Sequence, residues 1–172
     1  MDTVRLAAAT DSANIIDLQL TNWRLTHPAL AELINREDAQ SQWEQSITSQ
    51  SDKGRVLICE RNGTLVGVAA VEFDREVGHL SLLEVEPLAR RQLVGARLLN
   101  AAADIASQAG CLELSAWLSA DHLGGRQFLE STGWVSTGAT RTVSTHLWDE
   151  DPSDEGGELT EDQVEFTTSL AT

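Results

Sequence analysis

Hydrophobic residues recur three or four positions apart after residue 93, which is the spacing of one face of an α-helix. They are Val94, Leu98, Ala101, Ala102 and Ile105. Directly before them, Leu82, Leu83 and Val85 form an apolar run typical of a buried strand. Pro87 ends that run because proline has no N–H for a strand ladder. The pattern predicts a strand, a short loop and a long helix that ends near Gly110.

Two strand-like runs, residues 55–61 and 64–73, flank Asn62-Gly63, the dipeptide that most favours a two-residue hairpin turn. Small residues such as Gly67 make the second strand slim enough for close packing by a helix or a neighbouring strand. Three antiparallel strands therefore precede the long helix. A strand at 111–116 should then run parallel to the central strand, 79–85, if the crossover is right-handed.

The first third of the chain predicts one short strand and then helices. Residues 4–7 suit the strand, and Thr10 with Asp11 suits a helix cap. Pro28 interrupts the helical pattern, which resumes over residues 29–47 with a break near 35–38. Trp23 and Trp43 lie in these helices, either as core aromatics or as walls of a substrate site. Both interpretations stay open on the sequence.

The 172 residues suit one domain with a full core. The net charge is −15, and residues 149–172 hold nine of the 27 acidic groups and none of the 12 basic ones, which leaves 18 acidic against 12 basic in residues 1–148. Such a body disfavours nucleic acid and anionic lipid as partners. We expect a domain over 1–148, closed by a hairpin at 137–148 with Gly138 near its turn, and a flexible acidic tail over 149–172.

An alternative exists for the end of the tail. Hydrophobic and small residues alternate there with mostly polar ones and would suit an edge strand on this chain or on a second copy, so a homodimer is a possible assembly. They are Val164, Phe166, Thr168 and Leu170.

Cys59 and Cys111 lie far apart in apolar runs, which predicts reduced core residues and no metal site. No signal peptide and no apolar run long enough to span a bilayer is evident, so we expect a cytoplasmic protein without a membrane partner.

Arg90, Arg91 and Gln92 stand directly before the long helix. A helix start exposes unpaired N–H groups and the positive end of the helix dipole, so this segment suits an anionic group such as a phosphate. An arginine pair of this kind is also compatible with a simple solvated loop.

The same segment resembles the cofactor-binding segment of the GCN5-related N-acetyltransferases, the GNAT family. The family has a proline after its fourth strand and then Arg or Gln, two residues, Gly, one residue, and Gly or Ala. Arg90 takes the first position, Leu93 replaces the first Gly, and Gly95 fills the last. If position 93 requires a positive φ, leucine is strained there, and its side chain also crowds an approaching phosphate.

A second family segment follows at the expected spacing, so the resemblance covers about residues 3–148. Phe128-Leu129 stands at the family's aromatic pair and Gly133-Trp134 at its closing pair, while His122 takes the position of an Asn that bonds the pantetheine arm. Leu129 replaces the tyrosine that commonly protonates the leaving thiolate, and the chain has no Tyr.

Residues 124–126 leave two questions open. Arg126 is either a contact to the adenine or ribose phosphate or a solvated helix residue. Gly124-Gly125 either delays the helix start to Arg126 or lets the cofactor pass closely.

The resemblance implies an α/β (α+β) fold with a mixed, mostly antiparallel sheet, split between central strands four and five and flanked by about four helices. It implies acetyl-CoA as cofactor and direct acetyl transfer to a primary amine of a small molecule or peptide. The pyrophosphate would be held by residues 90–96, namely Arg90, Arg91, Gln92, Leu93, Val94, Gly95 and Ala96. The arm would bond main-chain groups of Leu83, Glu84 and Val85 together with His122, with Phe128 and Arg126 nearby.

The general base is predicted to be His79, with Glu84 as the second candidate. In an alternating strand the two face opposite sides, so both cannot serve one site without a bulge. Leu93 and Leu129 favour an alternative function, a catalytically weak or inactive CoA-binding sensor or protein-interaction module.

Overall fold

The computed structural model describes residues 1–49, 53–146 and 158–170, with the backbone alone for Thr145, His146 and Glu158. In these ranges seven strands and five α-helices follow one another. They are β1 Asp2–Leu6, α1 Ser12–Thr26, α2 Pro28–Leu33, α3 Arg36–Thr48, β2 Gly54–Arg61, β3 Thr64–Asp74, β4 Val77–Val85, α4 Val94–Gln108, β5 Glu113–Ser119, α5 Leu123–Ser131, β6 Val135–His146 and β7 Glu158–Ser169. The predicted mixed α/β class with a mostly antiparallel sheet is confirmed.

The chain divides into two compact units, residues 1–114 with 169–172 and residues 115–168. In the first unit β1, β2, β3 and β4 lie side by side in chain order, each antiparallel to the next. Asn62 and Gly63 join β2 to β3 with φ values of 52° and 80°. Positive φ at both turn residues is the type I′ geometry that the dipeptide predicts.

Helices cover both faces of this four-stranded sheet. A cluster of buried residues from α1, α3, β2, β3 and the residue after β1 packs on one face: Ala7, Ile15, Leu18, Ile47, Val56, Ile58 and Val68. On the other face α4 packs closely because β3 is slim at Gly67. A Cβ there would meet Leu98 Cδ1 at 2.8 Å and Val94 Cγ1 at 2.9 Å. The predicted role of Gly67 is confirmed.

Strand β4 contains a bulge. Ala70 of β3 pairs with Leu82 and Val71 with Leu80, so Ser81 is an extra residue in β4. Because one added residue reverses the alternation of side chains, His79 and Glu84 face the same side of the sheet, the side of α1 and α3. The sequence named this bulge as the condition for a shared face.

The predicted helix boundaries in the first third hold, apart from one cap. Pro28 starts α2, and Asn35 Oδ1 accepts hydrogen bonds from Glu37 N at 3.0 Å and Asp38 N at 3.1 Å at the start of α3. Asp11 does not cap α1 with its side chain. Its carboxylate accepts from Ala8 N and from the Arg5 guanidinium, which ties the start of α1 to β1.

In the second unit β7 lies between β5 and β6 and pairs with β6 in antiparallel register. The predicted flexible tail is therefore wrong for Glu158–Ser169, whose Phe166 is fully buried, while the alternating pattern in this segment correctly indicated a strand. It is an inner strand and not an edge. The predicted hairpin at Gly138 is also wrong, because β6 passes through Gly138 with a shift in register between Ser136 and Thr140. Residues 147–157, which complete the predicted hairpin and tail, lie outside the described part of the chain.

Cys59 and Cys111 are buried and free, as predicted. No helix in the described ranges is long and apolar enough to cross a membrane.

Candidate active site

Glu84 lies on β4 under helix α1, and its carboxylate is surrounded by hydrogen-bond donors. Asn22 Nδ2 donates to Glu84 Oε2 at 2.9 Å, and the polar groups of Gln19 and Trp23 lie beside the carboxylate. Burial raises the pKa of the Glu84 carboxyl above its usual range, although the neighbouring polar groups and the charge of Arg90 act in the opposite direction. A carboxylate with a raised pKa, held by an oriented donor, suits a general base.

Sequence reasoning missed Gln19 and Asn22. Both are buried polar residues, spaced three apart on the face of α1 that the apolar pattern assigns to the core. That spacing was the available signal, because polar side chains on a buried helix face require partners. Gln19 has a partner in Trp43, whose Nε1 donates to Gln19 Oε1 at 2.7 Å.

A cleft of about 570 Å³ opens between α1, α2 and α3 beside this cluster. Both tryptophans line it, together with Ile16, Gln19, Leu33, Ile34, Asn35, Asp38, Ala39, Gln42 and Ser46. Trp43 also packs against the core on this face of the sheet. The packing agrees with the core interpretation of Trp43, and its role as a wall of a substrate site stays a prediction. Since Gln19 and Trp23 line the cleft and lie beside Glu84, a molecule in the cleft reaches residues next to the carboxylate.

Two polar side chains of the loop before α4 are hydrogen-bonded within the protein. Arg90 turns back toward β4 and α1, where its Nη2 donates to Asn22 Oδ1 at 2.8 Å and its Nε to Val85 O at 3.2 Å. Gln92 is also engaged, donating to Leu88 O at 2.8 Å and accepting from Arg61. Arg91 is exposed.

The N-terminus of α4 retains the features of an anion site. No side chain caps it, and the first N–H groups of a helix lack partners within the helix. Arg91 and Leu93 have φ values of 60° and 67°, so the turn places two residues in the left-handed region. Position 93 therefore has the positive φ that the sequence interpretation took as the condition for strain, and Leu93 holds a conformation that favours glycine. Its side chain is 68% exposed at the helix start.

His79 lies on the same face of β4 as Glu84, but four paired positions away. At the rise of a strand this separation is about 13 Å. His79 is half-buried and pairs across the strands with Glu72. The structure therefore does not bring the two predicted bases together.

The second unit holds the remaining predicted contacts. His122 Nδ1 accepts from Gly125 N at 2.7 Å and caps α5, which leaves the other ring nitrogen for a ligand. The helix begins at Leu123, so the predicted start at Arg126 is wrong. Arg126 Nη1 donates to Ala120 O at 3.3 Å, and Phe128 is half-buried. Leu129, at the position of the family tyrosine, is 2% exposed and belongs to the core.

The chain belongs to the acetyltransferase (GNAT) family, whose family model matches residues 15–134. The predicted family is thereby confirmed, and with it an acetyltransferase as the class of protein that this fold defines. Acetyl-CoA, the predicted cofactor, agrees with this family. No protein with a curated description matches the sequence.

Three solved structures that are similar to this chain match it over nearly its whole length. PaiA N-acetyltransferase from Thermoplasma acidophilum, solved in complex with coenzyme A, has 19% identity and a TM-score of 0.75, with 98% of this chain and 99% of that chain covered. A probable acetyltransferase from Staphylococcus epidermidis has 13% identity and a TM-score of 0.76 over 99% and 100%. A ribosomal-protein-alanine N-acetyltransferase from Brucella melitensis has 20% identity and a TM-score of 0.72 over 97% and 99%. At these identities the similarity establishes the fold.

Proposed function

We propose that the protein is an N-acetyltransferase that moves an acetyl group from acetyl-CoA directly to a primary amine, with Glu84 as the general base. The observation that carries the proposal is the Glu84 carboxylate, which Asn22 bonds and which lies next to Gln19 and Trp23, two residues that line the cleft. A small molecule or peptide amine in this cleft is the proposed acceptor, and the cytoplasm is the proposed location.

The residues at the start of α4 fit the cofactor's phosphates. No side chain caps the first N–H groups of α4, Gly95 in the first turn carries no side chain, and the exposed Arg91 adds a positive charge. Along a strand of an antiparallel pair, successive residues direct their main-chain N–H and C=O groups alternately toward the partner strand and away from it. Some of these groups at Leu83, Glu84 and Val85 are therefore directed away from β3. These groups are the proposed holders of the pantetheine arm. Bound there, the cofactor would supply an acetyl group on a thioester. The amine nitrogen would form a C–N bond to the carbonyl carbon, the C–S bond would break, and coenzyme A would leave as a thiolate that takes a proton from water.

Glu84 performs the proton chemistry in this proposal. An ammonium group has no lone pair, so the acceptor must lose a proton before it attacks. A Glu84 carboxylate with a raised pKa takes that proton more readily than an ordinary carboxylate. His79, the first choice from the sequence, is about 13 Å from this position along the strand and beyond the reach of direct proton transfer. We therefore assign the base to Glu84.

A matched pair of substitutions on β4 tests this assignment. Thiol release from acetyl-CoA over a panel of amines should show turnover, and Glu84→Gln should lower kcat by about 10²- to 10⁴-fold. His79→Gln, on the same strand and face, should change it little. Equal effects of the two variants, or full activity of Glu84→Gln, would contradict the assignment.

The second candidate function is a CoA-binding sensor or interaction module with weak or no turnover. Two observations favour it: the strained, exposed Leu93 at the phosphate position and the buried Leu129 at the position of the proton donor. Calorimetric binding of acetyl-CoA without thiol release for any amine in the panel would support this candidate over the enzyme.

A further inference from the structure

Asn22 bridges Arg90 and Glu84 by two hydrogen bonds. It is 6% exposed, its Nδ2 donates to Glu84 Oε2 at 2.9 Å, and its Oδ1 accepts from Arg90 Nη2 at 2.8 Å. A chain of two hydrogen bonds thus runs from the loop before α4 through helix α1 to strand β4.

The donors and acceptors along this chain determine how Asn22 is oriented. A guanidinium only donates and an ionised carboxylate only accepts, whereas an amide does both. With Oδ1 toward Arg90 and Nδ2 toward Glu84, every contact is favourable. Turning the amide over would place two donors together and two acceptors together. Arg90 therefore holds Asn22 in the orientation that presents an N–H to Glu84.

Arg90 and Arg91 are neighbours in sequence but have different surroundings. The Arg90 guanidinium points back to Asn22 and to the carbonyl of Val85, the residue after Glu84. Arg91 has a positive φ and an exposed side chain at the start of α4. Adjacent arginines in one loop thus contact different parts of the fold.

We propose that Asn22 is a positioning residue for the Glu84 carboxylate and that Arg90 acts on Glu84 through Asn22, while Arg91 serves the phosphates of the cofactor. This inference rests on the proposed function, since it takes Glu84 as the base. It assigns Arg90 a role that its place in the cofactor motif does not suggest.

The groups packed around Glu84 determine which substitutions can change the pKa of its carboxyl. Helix α1 contributes Gln19, Asn22 and Trp23, strand β3 contributes Val68 as the cross-strand partner, and the loop contributes Arg90. Among these groups Arg90 is the charged one. His79 shares the face of β4 at about 13 Å. Arg90 lowers the pKa of Glu84, so loss of Arg90 should raise it.

The first test compares Arg90→Met with Arg91→Met, because methionine keeps an apolar stem and removes the donors and the charge. Arg90→Met should raise the apparent pKa of the acidic limb of kcat/KM and leave the Kd of coenzyme A unchanged. Arg91→Met should weaken coenzyme A binding and leave the acidic limb in place. Arg90→Lys, which keeps a donor and the charge, should retain most of the wild-type profile.

The second test addresses the bridge. Asn22→Leu should move the acidic limb in the same direction as Arg90→Met. The double variant should move it by less than the sum of the two single shifts, because each substitution alone already breaks the connection through Asn22, while the charge of Arg90 also acts on Glu84 directly. Additive shifts would overturn the role of Asn22. If Arg90→Met instead weakens coenzyme A as Arg91→Met does, with an unchanged limb, Arg90 is a phosphate contact and the proposal is wrong.

A readout independent of turnover separates this proposal from the proposed function. Carboxyl-carbon NMR gives the pKa of Glu84 directly, with Glu84→Gln identifying the resonance. An unchanged pKa in Arg90→Met and Asn22→Leu would overturn the inference even in an active enzyme. A raised pKa in both, without turnover on any amine, would support the bridge and refute the proposed function.

Discussion

Leu93 is strained at the residue where the cofactor motif requires a glycine. A φ of 67° costs a residue with a Cβ about 1 to 2 kcal/mol of stability. Glycine avoids this cost, but it is less favourable by about 0.5 to 1 kcal/mol because it has more conformational freedom in the unfolded chain. The net effect on stability is small, so the larger consequence of leucine at this position falls on the ligand that approaches it.

Two substitutions at Leu93 separate the effect of its side-chain bulk on ligand binding from the effect of backbone strain on stability. Leu93→Ala removes most of the side chain and should tighten coenzyme A binding without a gain in stability. Leu93→Gly should tighten binding further and raise the free energy of unfolding by up to about 1 kcal/mol. Calorimetry and urea denaturation measure the two effects. Leu88→Ala, a change at another exposed leucine in this loop, is the control, and equal affinities for all three variants would mean that the phosphates do not approach position 93.

The raised pKa of Glu84 predicts the direction in which the free energy of unfolding changes with pH. Its folded pKa is raised by burial above the unfolded value of about 4.3, so its contribution to stability is fully present below that pH and lost as pH rises through the folded pKa. The stability of wild type relative to Glu84→Gln should therefore fall between acidic and neutral pH. Urea denaturation across this range measures the difference.

Asp11 provides a control of opposite sign. The Arg5 guanidinium lowers the pKa of Asp11, so its contribution is present above the unfolded value of about 3.9 and lost as pH falls. The stability of wild type relative to Asp11→Asn should fall with acidification. The same trend in both comparisons would contradict the environment of Glu84 described above.

At the scale of single elements, the sequence predicts what local chemistry controls. Asn62-Gly63 determines its hairpin because the turn needs only two residues with positive φ. The bulge at Ser81 was not predictable, since it depends on the register against β3, and without it His79 and Glu84 face opposite sides. The face shared by these two residues is therefore a property of strand pairing that the alternating pattern alone does not contain.

Helix α5 depends on one of its two glycines. A Cβ at Gly125 would meet His122 Nδ1 at 2.6 Å and Leu118 Cδ2 at 2.7 Å, whereas a Cβ at Gly124 meets nothing within 4 Å. Gly125→Ala should break the His122 cap and destabilise the protein by about 1 to 2 kcal/mol. Gly124→Ala should stabilise it by about 0.5 to 1 kcal/mol, because alanine is the better helix former. Thermal denaturation measures both, and equal shifts would show that His122 does not need Gly125.

At the scale of the whole molecule, the error in the sequence prediction lies in the acidic C-terminal segment. Composition favoured disorder because residues 149–172 carry nine acidic groups and no basic ones. Phe166 nevertheless lies fully buried in β7, between β5 and β6. Pairing with β6 and burial of Phe166 are tertiary effects, so a composition argument could not weigh them against the charge.

A flexible tail could be deleted without loss of stability, whereas strand β7 predicts that its deletion destabilises the protein. Deleting residues 158–172 removes the partner of β6 and the buried Phe166, so cooperative unfolding should be lost or the melting temperature should fall sharply. Phe166→Ala should by itself cost about 3 to 5 kcal/mol, as large-to-small changes at fully buried aromatics do. Thr168→Ala, at a half-buried position of the same strand, should cost much less and serves as the control for a substitution in β7.

Differential scanning calorimetry of the three proteins provides the comparison. A melting temperature for Phe166→Ala within error of Thr168→Ala would mean that β7 does not contribute to the core, and the acidic segment would then be the solvated tail that its composition predicts.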